Sequence, residues 1–178
     1  MAKKNSAYWE TAGLLFVLVA GNLLHFVYDW SGRSAWVAAF AATNESTWEH
    51  MKLLAVPWLL WSLLECLVLP ETGVPFARAA GLLAGLAFIP TVFYTYQGIL
   101  GRNIDWVNIL LFQAASVLAY IVTRQIQMRS LGVGRKWQLL GLFVLLSVAA
   151  LFVVWTYRPP QWGVFLDPLR ATVGRVFS

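Results

Sequence analysis

The side chains able to do chemistry in this 178-residue chain gather in two short stretches, GNLLHFVYDW over residues 21–30 and TNESTWEHMK over residues 43–52. In the first, Asn22, His25 and Asp29 recur at intervals of three and four, which sets an imidazole and a carboxylate on one face of a helix. The second delivers Glu45, Glu49, His50 and Lys52 at a helix start. Nitrogen and carboxylate donors of this kind suit a divalent metal, zinc, iron or manganese, with His25, Asp29, Glu45 and His50 as the expected ligands. Such a site points to metal-dependent chemistry of the lipid-hydrolase type. Without a metal the same groups suit proton transfer: His25 and His50 as acid and base, Asp29 and Glu45 as orienting carboxylates, and Glu49 as general base, with Lys52 or Tyr94 neutralising a developing oxyanion. No HExxH occurs, so the metal reading rests on residue types at one level and not on a motif.

Plainer readings stand beside these. Ser46 and Glu49 have the spacing of a capping box, and Glu49 and Lys52 are three apart, as in a helical ion pair. Asp29 also suits the role of orienting His25. Glu65 lies about 22 Å further along the same helix as His50 at 1.5 Å per residue. Snorkelling, an internal hydrogen bond, or a proton or ion relay between the two faces would each account for it.

The elements that must position these residues belong to a membrane. Hydrophobic residues make up 60% of the chain and charged ones 12%, mean hydropathy is +0.66, and there are ten tryptophans, which lies outside the range of ordinary soluble domains. About 20 apolar residues cross the hydrocarbon as a helix, and suitable stretches occur over residues 11–29, 52–69, 76–97, 106–123 and 137–157. The apolar run over residues 35–42 is too short to cross and is expected to lie at the interface or re-enter, folding over the mouth of the bundle. The expected fold is therefore all-α: a polytopic bundle of five transmembrane helices forming one domain over residues 1–178. The long first run, followed by four more, reads as a retained helix and not a cleaved signal.

The net charge of +5 is spread over helix ends, which excludes a nucleic-acid patch. The expected partners are membrane lipids and a lipid-like or small-molecule ligand, with a homodimer left open. Lys3, Lys4, Arg124, Arg129, Arg135 and Lys136 fall on one side, and Arg78 with them. The positive-inside rule then places the chain in the cytoplasmic membrane with its N-terminus cytoplasmic and its C-terminus external. After Arg158, the tail with Trp162, Phe165 and Phe177 is expected to hug the membrane surface. Cys66 is the sole cysteine, so there is no disulfide framework. Ala77, Gly81 and Gly85 repeat every four residues, a spacing that serves close helix packing within the chain or a dimer seam. Pro57 and Pro90 interrupt two spans.

LLHFVYDWSG, NESTWEHMK, Glu65, FYTYQGILG and TYRPPQWGVFLDP resemble, in order and spacing, a family of small bacterial membrane proteins of unknown function, over about Gly13 to Pro168. The resemblance implies a five-helix membrane protein in which His25, Asp29, Asn44, Glu45, Glu49, His50, Lys52 and Glu65 act together, and it implies no activity. Family members often carry a histidine after ILG, where this chain has Arg102, and they end differently from ATVGRVFS. Three functions fit these residues: an enzyme acting on a lipid-like molecule, an ion or small-solute transporter, and a non-catalytic binding or scaffold protein. A lipid-facing cavity beside the histidines favours the first, a wet route from the histidines to Glu65 the second, and polar groups fully paired with one another the third.

Overall fold

The computed structural model describes residues 2–68, 74–167 and 172–173. Lys3 and Lys4 lie in its first helix with side chains outside the description, and Arg170, Arg175 and Phe177 lie outside the described residues. The architecture is an all-α bundle of six helices: α1 (Ala2–Trp30), α2 (Ala35–Ala38), α3 (Thr47–Val68), α4 (Val74–Leu100), α5 (Asp105–Met128) and α6 (Arg135–Tyr157). Five of them are long and apolar enough to span a membrane, and the four-residue α2 is the short segment expected after the first. Exposed Leu, Phe, Val and Ile side chains cover the outside of the bundle, the surface a hydrocarbon solvent requires.

α3 is the most enclosed span and α1 the least. Trp58, Leu54, Leu82, Ala115 and Ala119 fill the middle with no exposed surface. The small-residue repeat on α4 is used within the chain. Gly81 faces the Ala119 carbonyl and Thr123 on α5, and Gly85 faces Leu54 on α3 and Ala115 on α5. Pro57 removes one backbone bond from α3 and leaves the Leu53 carbonyl without its helical donor. Gly21 of α1 comes up against that carbonyl, where a side chain would not fit.

The connection from α1 to α3 folds back over one end of the bundle. Gly32 and Arg33 turn the chain in the left-handed region, with φ of 70° and 62°. Tyr157 Oη at the end of α6 donates to the Ala35 carbonyl at 2.7 Å, which ties α2 down. After α6, a short 3-10 turn (Gly163–Phe165) and a two-residue ladder between β1 (Leu166–Asp167) and β2 (Thr172–Val173) follow. Phe165 is buried against Trp48 and Trp155, so this part of the tail packs onto the helix ends and does not simply lie on a membrane surface.

Candidate functional site

His25, Asp29, Glu45, Glu49, His50 and Lys52 sit at one end of the bundle, formed by the C-termini of α1, α4 and α6 and the N-termini of α3 and α5. They divide into two groups. In the buried group, Glu49 Oε2 accepts from Lys52 Nζ at 2.7 Å and from the Thr43 backbone N–H at 2.8 Å. Lys52 Nζ also donates to the carbonyls of Ala38 and Ala41, at 2.9 and 3.2 Å. The ammonium therefore has three acceptors and no exposed surface. The capping box is only half formed: Ser46 Oγ accepts from the Glu49 N–H, while the Ser46 N–H goes to Asn44 Oδ1 because the Glu49 carboxylate is already committed to Lys52 and Thr43.

In the open group, Glu45 stands between the two histidines. Its Oε1 lies 3.8 Å from His25 Nε2 and its Oε2 lies 3.5 Å from His50 Nε2, with the imidazole centroids 5.6 Å apart. His50 Nδ1 is 3.0 Å from the Ser46 carbonyl. A carbonyl only accepts, so Nδ1 carries a proton, and Nε2 faces Glu45 across 3.5 Å, beyond hydrogen-bond length. His25 Nδ1 is buried without a partner. All three side chains are a quarter to two-fifths exposed. Beside Glu45 and His50 a cleft of about 20 Å³ is lined by Thr47, Asn108, Phe93 and Phe112. That is space for one or two waters. Tyr94, half exposed, accepts from Thr47 Oγ1 at 3.3 Å and so stands next to this cleft. A polar cap on the α4–α5 hairpin adjoins it, in which Tyr96 Oη donates toward Asn103 and Asn108. Asn103 is a member that the sequence reading missed.

The expected metal centre is not formed. Among the described residues no group of three or more His, Cys, Asp or Glu is placed to hold an ion. Asp29 is the physical reason on one side: its Oδ1 takes Arg33 Nε at 3.0 Å, and the carboxylate is 70% exposed. On the other side, Glu45 offers a different oxygen to each imidazole, 3.8 Å from His25 Nε2 and 3.5 Å from His50 Nε2. Zinc, iron or manganese bound by His25, Asp29, Glu45 and His50 is thus corrected, and the metal-dependent hydrolase reading loses its basis.

A second buried ion pair lies at the opposite end of the bundle, where the sequence named no partner for Glu65 and put Arg78 among the basic residues of one side. Arg78 has no exposed surface, and its Nε donates to Glu65 Oε2 at 2.5 Å while Nη2 closes on the same oxygen. The guanidinium lies over the rings of Trp58 and Tyr120, at 5.1 and 4.7 Å. Trp58 Nε1 donates to the Arg78 carbonyl at 3.0 Å. The signal for this pair was available: Glu65 and Arg78 stand nearly equidistant from the short connection between α3 and α4, which sets them level in an antiparallel hairpin.

Fold and site together define a polytopic helical membrane protein with an ion pair buried toward each end and an open His–Glu–His group at one of them. The chain belongs to a family of unknown function, DUF6512, whose model matches residues 1–175. No curated protein and no solved structure matches it.

Proposed function

We propose that this protein is a membrane-embedded enzyme that moves a proton on an amphipathic, lipid-like substrate, without a metal. The observation that carries the reading is the placement of one carboxylate, Glu45, between two imidazoles at a partly open position. In this reading one imidazole takes a proton from the substrate, the other as imidazolium returns one, and Glu45 offsets the charge. The cleft itself has room only for one or two waters, so in this reading the polar end of the molecule meets Thr47, Tyr94 and Asn108 at the open side of the group and its apolar part stays in the surrounding lipid. Glu49 and Lys52 serve by fixing the loop from which Glu45 extends. The filled interior around Trp58 and the neutralisation of Glu65 by Arg78 count against a transport route. The basic residues Arg124, Arg129, Arg135 and Lys136 at the opposite end support an external site in a cytoplasmic membrane, with the N-terminus inside.

A scaffold reading is favoured by one observation, the complete pairing of Lys52 and Glu49 with the loop. The deciding experiment incubates the purified protein with a total membrane lipid extract in D2O and follows deuterium entering any lipid by mass spectrometry. Uptake that requires both His25 and His50 is expected. Uptake equal to that of the His25→Ala/His50→Ala protein would leave the scaffold reading.

A further inference from the structure

A groove of about 310 Å³ runs between α3 and α6, on a face that the histidine site does not use. Its walls are Leu59, Leu63 and Cys66 of α3 and Leu142, Leu146 and Ala149 of α6. Ala39 and Phe40, just after α2, roof its far end. Apart from that roof, the groove lies within two membrane spans. Ser62, the hydroxyl in its wall, is already spent on the Trp58 carbonyl at 2.7 Å. It exists because α6 leans on α4, where Gly141 meets the backbone of Pro75 and Phe76, and so stands away from α3.

The open end of this slot is marked by charge. Arg135, Leu142 and Ala149 follow at seven-residue intervals on α6, so Arg135 continues the groove's own face about 10 Å beyond Leu142. Lys136 is its neighbour, both are exposed, and among the described residues no carboxylate pairs with either. They occupy the first turn of α6, where the macrodipole also favours an anion. Trp137, half exposed, marks the headgroup level.

We infer that this groove seats one acyl chain of an anionic phospholipid whose phosphate rests on Arg135 and Lys136. The apolar slot selects a chain, the roof of Ala39 and Phe40 sets its depth, and the paired cations select the headgroup. The site is independent of the histidine group and survives if the proposed enzyme activity fails.

The test is native mass spectrometry of the full chain from detergent containing equal phosphatidylglycerol and phosphatidylcholine of identical acyl chains. Two basic groups, each giving about a fivefold preference near an anionic headgroup, set an expected preference of about 25-fold for phosphatidylglycerol. In the Arg135→Gln/Lys136→Gln protein the ratio is expected to fall to about one, with lipid still retained. Ala149→Phe, which fills the slot, is expected to retain neither lipid. Should that variant not fold, the sole cysteine decides in the wild-type chain: alkylation of Cys66 by an apolar maleimide is slowed by phosphatidylglycerol and not by phosphatidylcholine. Equal retention of the two lipids, equal alkylation rates, an undiminished preference without the two cations, or a lipid-free dimer crosslinked through Cys66 overturns the inference.

Discussion

Lys52 and Glu49 stand one turn apart on α3, their charged atoms 2.7 Å from each other, and the same ammonium holds the carbonyls of Ala38 and Ala41. A single buried cation thus joins the first turn of a membrane helix to the loop that crosses above it. Lys52→Met removes three donors' worth of pairing at once and leaves the Glu49 carboxylate enclosed without its counter-charge. Breaking one partner of a buried pair destabilises by about 3–5 kcal/mol. Lys52→Met is expected to lie in that range, and Lys52→Met/Glu49→Leu to recover part of the loss. Thermal unfolding in detergent reads both, and a Lys52→Met midpoint equal to that of the wild type would remove the lock.

The open group behaves differently. His25, Glu45 and His50 are partly exposed, and their mutual distances of 3.5 and 3.8 Å exceed hydrogen-bond length. Glu45→Gln is therefore expected to change stability by no more than about 1 kcal/mol. It is also expected to lower deuterium uptake from D2O by at least about a hundredfold, the lower end for losing a positioned acid–base partner. A loss of uptake accompanied by an equal loss of folded protein would count against a role in chemistry.

At the other end the Glu65–Arg78 pair makes a sharper contrast, because both side chains are buried and the guanidinium also lies against the rings of Trp58 and Tyr120. Arg78→Met strands a carboxylate and is expected to cost about 3–5 kcal/mol, whereas Arg78→Met/Glu65→Met is expected to be nearer the wild type. A double-mutant cycle on the unfolding free energies measures the coupling. Coupling near zero would show that Arg78 acts only through its ring contacts.

The parts of this arrangement that could be read in advance are those set by local composition. Each span is a long apolar run, and the helix start at Thr47 follows from Ser46, whose hydroxyl does accept from Glu49 N–H. Directions set by the loops were not legible. His25 and Asp29 share a helix face, yet the left-handed turn at Gly32 and Arg33 brings an arginine back onto Asp29 and draws it away from the histidines. Arg78 follows a connection by a few residues, as a charge at a helix end does, and its nearly equal distance with Glu65 from that connection is the one sequence sign that the two meet in the core. The roles of the Ala38 and Ala41 carbonyls carry no side-chain signal at all, since any residue supplies a carbonyl.

Two glycines on the same helix separate packing from propensity. Gly81 lies against the Ala119 carbonyl, the Thr123 hydroxyl and Trp58, so a methyl group there has no room. Thr123 cannot simply swing aside, because its hydroxyl donates to the Ala119 and Ala77 carbonyls at 2.9 and 3.2 Å. Gly81→Ala is expected to push α4 from α5 and destabilise by about 1–3 kcal/mol, the usual range for an overfilled core. Gly98, two turns beyond Pro90 and exposed, has nothing within reach of an added methyl. Gly98→Ala is expected to stabilise by about 0.5–1 kcal/mol through backbone entropy alone. Thermal unfolding of the two variants side by side reads the difference. Two shifts of the same sign would mean that α4 and α5 do not approach as closely as the Gly81 contact requires.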